Sequence, residues 1–211
     1  MTGVIILPQR QAVLAAKQAA EIDVLTGGRF RLGVGIGWNP VEYEALGVDF
    51  RTRAVRYKEQ VDLMRRLWTE DSVTYQGRFH TVTAAGILPR PVQRPIPLWM
   101  GGGTAPSVLE RIGRLSDGWI CNTPPGHGLE EAWEVVTAAA VAAGRPPGAV
   151  GLQGAAQPRP GPDMAETLRR QVGRWETAGA THVAVSGLNA GRSPDEHIGF
   201  VTEAAAALSI R

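Results

Sequence analysis

Short apolar or β-rich segments recur along this chain at intervals of about thirty residues, and a helical pattern follows most of them. This spacing is typical of βαβ units, in which crossover helices join parallel strands. The segments begin near Val4, Arg31, Pro97, Trp119, Val150 and His182. Six such units predict an α/β protein with a parallel sheet. A (β/α)8 barrel needs eight units and about 250 residues, whereas an open doubly wound sheet could use six, so the count leaves both architectures open.

The interval from Arg31 to Pro97 is too long for one βα unit and contains a further β pattern. The segment from Ser72 to Leu88, which includes the run Val73 to Phe79, predicts an inserted β-hairpin. Helical patterns cover residues 11–25, 53–68, 130–143, 164–178 and 194–208. In the last of these, the spacing predicts a buried stripe of Ile198, Val201, Ala205 and Leu208.

Composition excludes several classes of function. The formal net charge is only +2, and the arginines are dispersed, which argues against a nucleic-acid partner. The single cysteine, Cys121, precludes an internal disulfide and suits a reducing cytoplasm. No apolar run approaches the roughly 20 residues of a membrane span, and we expect no signal peptide. Because the sequence contains no linker, we expect residues 1–211 to form a single domain. We also expect the protein to be cytoplasmic and to have no membrane partner.

The first strand pattern lies at the start of the sequence. Val4 to Leu7 is an unbroken apolar run that ends at Pro8, and such a run suits a strand buried on both faces of a parallel sheet. Because a buried strand needs neighbours on both sides, we expect the chain to open in the middle of a fold. The strands at Val4 and His182 would then be open edges. Because another chain would have to cover these unpaired edges, we expect a homo-oligomer.

The segment Arg31 to Asn39 has glycine at alternate positions 33, 35 and 37. Alternation places all three glycines on one face of a strand, where a flat ligand could lie against the backbone. The glycines could equally serve only to relieve crowding inside a barrel. The Gly-x-Gly-x-x-Gly spacing of a dinucleotide site is absent.

An apolar strand runs directly into Gly101-Gly102-Gly103 and then Thr104, which could cap a helix with Pro106 in its first turn. Free N–H groups and the helix dipole make such a terminus suitable for a phosphate. The alternative is an ordinary capped turn between a strand and a helix.

Polar residues follow the next strand. Asn122 and Thr123 stand at its carboxyl end, where side chains meet ligands in barrel enzymes. Cys121 is interpreted as a small buried apolar residue, since no partner base is suggested. The four histidines show no metal-ligand spacing, so no metal site is predicted. His127, in the Pro/Gly loop, is the better functional candidate among them.

These motifs, taken in order, resemble one family. They are Val-Ile-Ile-Leu-Pro, Asp-Val-Leu-Thr-Gly-Gly-Arg-Phe-Arg-Leu-Gly-Val-Gly-Ile-Gly-Trp-Asn, Glu-Ala-Leu-Gly-Val, Leu-Pro-Arg-Pro-Val-Gln, Trp-Met-Gly-Gly-Gly and Leu-Ser-Asp-Gly-Trp-Ile. The chain resembles the luciferase-like monooxygenase superfamily, and most of all its oxidoreductases that use the deazaflavin coenzyme F420. The resemblance is specific over residues 3–123 and weaker over 124–211.

The resemblance implies a (β/α)8 TIM barrel that lacks its first two βα units, with the hairpin insertion before the fifth barrel strand at Ser72 to Arg94. The chain would begin inside the third barrel strand, where relatives carry a bulge, often with a non-proline cis peptide, here about Gly3 to Ile6.

The same resemblance implies the coenzyme-binding residues. Those expected at the deazaflavin or its ribityl chain are Ile6, Ile36, Gly37 and Asn39. Those expected at the phosphate are Gly102, Gly103, Thr104, Ala105, Ser107 and Val108, with Asn122 as a polar contact. Trp38 occupies a position where some relatives have an acid, and the active-site histidine of several relatives comes from the first two strands. The resemblance therefore assigns no catalytic residue.

The function that the resemblance implies is an F420-dependent oxidoreductase, which transfers a hydride between the coenzyme and a small organic substrate. An FMN-dependent luciferase-like monooxygenase is the alternative within the family. An alternative of another class is a catalytically incomplete fragment, which binds coenzyme weakly or acts only through a partner chain.

Overall fold

Six strands form the central sheet: β1 (Ile5–Ile6), β2 (Leu32–Gly35), β5 (Leu98–Gly102), β6 (Gly118–Cys121), β7 (Gly151–Ala156) and β8 (His182–Val185). The computed structural model describes residues 1–188 and 191–209. The strands pair in the order β1-β2-β5-β6-β7-β8, and every pairing is parallel. Each strand begins within about one residue of the position that the sequence pattern predicts, so the six βα units are confirmed.

Helices connect the strands: α1 (Ala12–Leu25), α2 (Pro40–Ala45), α3 (Arg53–Thr69), α4 (Pro106–Leu115), α5 (His127–Ala142), α6 (Met164–Thr177) and α7 (Pro194–Ala207). The predicted buried face of α3 is confirmed, since Tyr57, Val61, Met64 and Trp68 are all buried. The Trp68 Nε1 group also donates to the Ala16 carbonyl at 3.0 Å, which joins α3 to α1. In the described residues, no helix has the length and apolar character that crossing a membrane requires.

The predicted hairpin is confirmed as a separate two-stranded antiparallel sheet, β3 (Val73–Gln76) and β4 (Thr81–Ala85). The carboxylate of Glu59 on α3 holds its turn. It accepts hydrogen bonds from the main-chain N–H groups of Arg78, Phe79 and His80, at 2.9, 2.9 and 2.7 Å. His80 Nδ1 lies 2.8 Å from the same carboxylate.

The buried stripe predicted for α7 is wrong at its first two positions. Ile198 and Val201 are 72% and 63% exposed, whereas Phe200 and Ala204 are buried. Phe200 packs in a small cluster with Met164 of α6. Because Phe200 is the largest apolar side chain of α7, its burial fixes the rotation of the helix and turns Ile198 and Val201 outward.

Asp117, in the Leu-Ser-Asp-Gly motif, joins β5 to β6. Its carboxylate accepts from the main-chain N–H of Leu98 at 2.9 Å and pairs with Arg65 at 3.0 Å. Its own N–H donates to the Leu98 carbonyl at 2.7 Å. Because β5 starts at Leu98 and β6 starts directly after Asp117, these bonds set the register that positions the carboxyl ends of both strands.

Candidate functional site

The residues expected at the coenzyme follow strands that are neighbours in the sheet. The register pairs Ile6 with Gly35 and Gly102 with Cys121. Because parallel strands end at the same edge of a sheet, the carboxyl ends of β1, β2, β5 and β6 lie side by side. The expected residues at this edge are Ile6, Ile36, Gly37 and Asn39 after β1 and β2, Gly102, Gly103, Thr104 and Ala105 after β5, Ser107 and Val108 in α4, and Asn122 after β6.

The glycine face of β2 is covered by the start of the chain rather than left bare. A Cβ atom at Gly33 would lie 1.9 Å from the main-chain oxygen of Thr2. The Thr2 hydroxyl bonds to Gly33 as well, donating to its carbonyl at 2.7 Å and accepting from its N–H at 2.9 Å. At Gly33, relief of crowding therefore accounts for the glycine.

Val4 lies over Gly35 of β2 and Gly101 of β5. Its methyl groups would lie 3.2 Å from a Cβ at Gly35 and 3.2 Å from a Cβ at Gly101. Val4 is 36% exposed, and the peptide bond between Gly3 and Val4 is cis, within the segment where the resemblance implies one. Together with half-buried Ile6, Val4 presents an apolar platform at the carboxyl edge.

Tyr43, which the motifs did not single out, supports the end of β2. Its hydroxyl donates to the Ile36 carbonyl, and burial raises the pKa of Tyr43 to about 12, so the hydroxyl keeps its proton. Gly37 adopts a φ of +70°, and a Cβ there would lie 2.9 Å from Ile6 Cγ2 and 3.2 Å from the Tyr43 ring. Only glycine fits this left-handed, crowded position.

Asn39 caps the helix that follows. Its Oδ1 accepts from the Val41 N–H at 3.1 Å, and its Nδ2 donates to Glu42 at 3.2 Å. These bonds fix the start of α2 and occupy the Asn39 oxygen. The preceding Trp38 is 84% exposed at the rim of the edge.

The turn between β5 and α4 differs from expectation in its cap. Ala105, not Thr104, is the N-cap of α4, and no side chain caps the helix. The reason is that the helix begins at Pro106, which places the extended residue before proline in the capping position. The main-chain N–H groups of Gly103, Thr104 and Ser107 have no acceptor among the described residues. The first turn of α4 carries no acid, so the positive end of the helix dipole is not neutralised.

Two buried contacts fix the base of this turn. A Cβ at Gly102 would lie 2.6 Å from Val108 Cγ1, so the Val108 side chain occupies the space beneath the glycine. The Trp119 Nε1 group donates to the Gly102 carbonyl at 3.0 Å. Trp119 is fully buried and its ring is stacked with that of Trp133 on α5. The turn is therefore held at its base and open above.

The end of β6 contributes one exposed amide. The Asn122 side chain is exposed and lines a cavity.

Cys121 is 1% exposed, and burial raises the pKa of its thiol, in agreement with a packing role. His127 is exposed and lies 3.1 Å from Glu131. In the described ranges, no group of three or more His, Cys, Asp or Glu residues could hold a metal.

Solved structures show the fold. An F420-dependent secondary alcohol dehydrogenase in complex with an F420-acetone adduct superimposes with a TM-score of 0.73, at 17% identity, over 99% of this chain and 77% of that chain. This likeness shows a fold of the (β/α)8 barrel type, of which the described part of the chain forms six parallel strands, and β1 and β8 do not pair with each other there.

Three sequence relatives cover different shares of the chain. An uncharacterised protein of Mycobacterium tuberculosis is 32% identical over 210 residues, which are 99% of this chain and 70% of the relative. An F420-dependent glucose-6-phosphate dehydrogenase of Intrasporangium calvum is 38% identical over 121 residues, 55% of this chain and 36% of the relative. An FMNH2-dependent dimethylsulfone monooxygenase of Pseudomonas putida is 33% identical over 134 residues, 62% of this chain and 37% of the relative. The luciferase-like monooxygenase family model matches residues 1–207, and the chain belongs to this family of oxidoreductases.

Proposed function

We propose that the chain binds coenzyme F420 and that the function is an F420-dependent oxidoreduction of a small organic substrate. The observation that carries the proposal is the uncapped turn from Gly103 to Ser107, beside the apolar platform of Val4 and Ile6. A phosphate and an aromatic ring need these two surfaces, and both lie at one edge of the sheet.

The described residues fit the coenzyme at both ends. At the turn, no atom lies within 4 Å of a Cβ position at Gly103, so an oxyanion has room to approach the free N–H groups. At the platform, Val4 and Ile6 offer aliphatic contact without a competing charge. Tyr43 and Trp119 hold the two strand ends in place through the Ile36 and Gly102 carbonyls.

The bound coenzyme would supply hydride transfer at C5 of its deazaflavin ring. Main-chain N–H groups of the turn would hold the phosphate, and Val4 would support the ring. Rigid support of this kind keeps the reacting atoms at a fixed distance. The motif Gly37-Trp38-Asn39 favours F420, and the 38% identical F420-dependent relative agrees with this choice. FMN is the alternative, because an FMNH2-dependent relative matches 62% of the chain at 33% identity.

Parallel fluorescence titrations with F420 and with FMN test the proposal. We expect F420 to bind at least about ten-fold more tightly than FMN, a difference of about 1.4 kcal/mol. The opposite preference would indicate an FMN-dependent monooxygenase. Binding of neither coenzyme would overturn the proposed function for the chain as it stands.

We also propose that copies of the chain associate. Helices α1 and α7 expose apolar side chains. Leu14 and Leu25 of α1 are 50% and 85% exposed, and Ile198 and Val201 of α7 are exposed as given above. Apolar surface of this kind is stabilised by burial against another molecule. Sedimentation velocity checks the association, and a single monomeric species at all concentrations would contradict it.

A further inference from the structure

A cavity of about 450 Å³ opens at the carboxyl ends of β6 and β7, beneath the loop that leads into α5. The polar side chains on its wall are those of Asn122, Gln157, Gln171 and Arg174. The volume falls within the range of small-molecule sites. Asn122 also stands in the row of candidate coenzyme residues, so the cavity adjoins the candidate site.

The charge of the cavity is positive. Arg174 contributes a guanidinium group that donates only a long hydrogen bond, 3.4 Å, to the Pro125 carbonyl. No residue on the cavity wall is Asp or Glu, and Arg174 makes no ion pair within the part of the chain that the structure describes. The neighbouring surface holds both Arg170, one turn earlier on α6, and Glu130, so the positive charge of the cavity wall rests on Arg174.

The uncharged polar groups can donate hydrogen bonds to an anion. Gln171 Oε1 accepts from the Gln157 N–H at 2.8 Å, so the Gln171 amide has its N–H groups left to offer. The Asn122 and Gln157 side chains have no hydrogen-bond partner among residues 1–188 and 191–209. The Trp175 Nε1 group already donates to the Ala155 carbonyl at 2.9 Å, so this ring contributes an apolar wall.

An oxyanion complements a guanidinium group and amide donors on a wall without carboxylates. We propose that this cavity binds a carboxylate or phosphate group of the substrate, with Arg174 as its charge partner and Gln171 as a neutral donor. The proposal deepens the proposed function and rests on it, because it gives the substrate an anionic group. Trp175 and the two prolines of the loop would enclose the adjoining apolar part.

Inorganic phosphate is the probe, and the indole N–H resonances of the 15N-labelled chain are the readout. Trp175 lines the cavity, whereas Trp119 lies beside the turn at Gly102, so the two resonances report separately on the two anion sites. Tryptophan-to-phenylalanine variants at these two positions assign the signals. We expect a saturable shift of the Trp175 resonance in the unmodified chain.

Arg174→Gln should weaken this response at least about ten-fold, in line with the loss of one charge-assisted hydrogen bond. Arg169→Gln is the matched control, since Arg169 lies on the same helix and contacts the Ala207 carbonyl instead. The control should leave the Trp175 titration unchanged, and Trp119 should respond alike in all three proteins. A Trp175 resonance that ignores phosphate, or that shifts equally in the Arg174→Gln variant, would overturn the proposal.

An F420 titration of the Arg174→Gln variant separates the two sources of the anion. Unchanged F420 affinity excludes the coenzyme as the source of the anion and supports the substrate assignment. A ten-fold loss would assign the cavity to an anionic group of the coenzyme and overturn the substrate assignment. Phosphate binding at Trp175 without any F420 binding would refute the proposed function and leave the anion site itself standing.

Discussion

The hydroxyl of Thr2 bonds to both main-chain groups of Gly33, donating to the carbonyl at 2.7 Å and accepting from the N–H at 2.9 Å. The main-chain pairing of β1 with β2 covers only Ile5 and Ile6. The Thr2 side chain therefore takes the place of main-chain hydrogen bonds between strands, and it extends the attachment of residues 2–6 to β2. The platform residue Val4 lies between these two attachment points.

Gly33→Ala should release this segment. The new Cβ would lie 1.9 Å from the Thr2 carbonyl oxygen, a main-chain atom that cannot move without displacing the segment. We expect the free energy of unfolding, measured in urea, to fall by about 1–3 kcal/mol. Lower protection against hydrogen exchange at the amide of residue 33 should accompany the loss.

Gly199→Ala is the control for this substitution. Gly199 lies inside α7, and no atom stands within 4 Å of its Cβ position. Alanine should stabilise the helix there by about 0.5–1 kcal/mol. If Gly33→Ala were equally harmless, the close contact with Thr2 would not exist.

Asp23→Asn should destabilise the connection between α1 and the segment that precedes β5. Asp23 is fully buried, and its carboxylate accepts from the Gln93 N–H at 2.8 Å and from the Gln93 side chain at 2.7 Å. An amide places a donor where Gln93 also donates. We expect a loss of about 2–3 kcal/mol of unfolding free energy.

Glu21→Gln provides the comparison on the same helix. Glu21 forms an ion pair with Lys17 at 2.6 Å, but both side chains are more than two-fifths exposed. Exposed pairs of this kind contribute about 0–1 kcal/mol. Similar losses for Asp23→Asn and Glu21→Gln in the same urea series would contradict the role of the Asp23 carboxylate.

Sequence patterns predict the elements of this fold better than the contacts at the candidate site. The periodicity of Tyr57, Val61, Met64 and Trp68 identifies a buried helix face because local spacing alone determines which residues share a face. The bond from Tyr43 to Ile36 joins a helix to a strand end, and no local pattern carries such a contact. Asp23 stands out in the sequence as a polar residue on the alanine-rich face of α1. No local pattern predicts its partner Gln93, which lies 70 residues away.

The glycines also show that a sequence pattern does not predict contacts between distant segments. Alternation places Gly33 and Gly35 on one face of β2, as the sequence predicts, but the strand ends at Gly35 and Gly37 follows it with a left-handed φ of +70°. The pattern also does not say what lies against that face. The structure places Thr2 and Val4 there. Likewise, Thr104 has the right chemistry for a helix cap, and only the position of Pro106 shifts the cap to Ala105.

Stability should fall in acid because of Glu59. Burial raises the pKa of this carboxyl, but hydrogen bonds from Phe79, His80 and Arg78 outweigh burial and lower the pKa below its ordinary value of 4.5. A group with a lowered folded-state pKa stabilises the protein above its unfolded-state pKa, and this contribution is lost as the pH falls through the folded-state value. We expect the hairpin to detach as the pH falls below about 4.5.

Glu59→Gln tests this assignment. The variant should lose about 2 kcal/mol of unfolding free energy at neutral pH, and its stability should depend less on pH in the acid range. Glu110→Gln, at an exposed position on α4, should leave the pH profile of the unmodified chain intact. An identical acid dependence in the Glu59→Gln variant would assign the effect to other carboxyl groups.

Gly103→Asp should block the candidate phosphate turn without affecting the fold. A side chain at this position meets no atom within 4 Å at its Cβ, so we expect unfolding free energy to change by less than about 0.5 kcal/mol. The new carboxylate would compete for the free N–H groups at the start of α4 and would repel a phosphate. F420 affinity should fall at least about ten-fold in a fluorescence titration. Gly103→Asn has nearly the same shape without the charge and should bind F420 more tightly than Gly103→Asp. Equal binding by the two variants would show that the phosphate lies elsewhere, because only the carboxylate repels an anion at this turn.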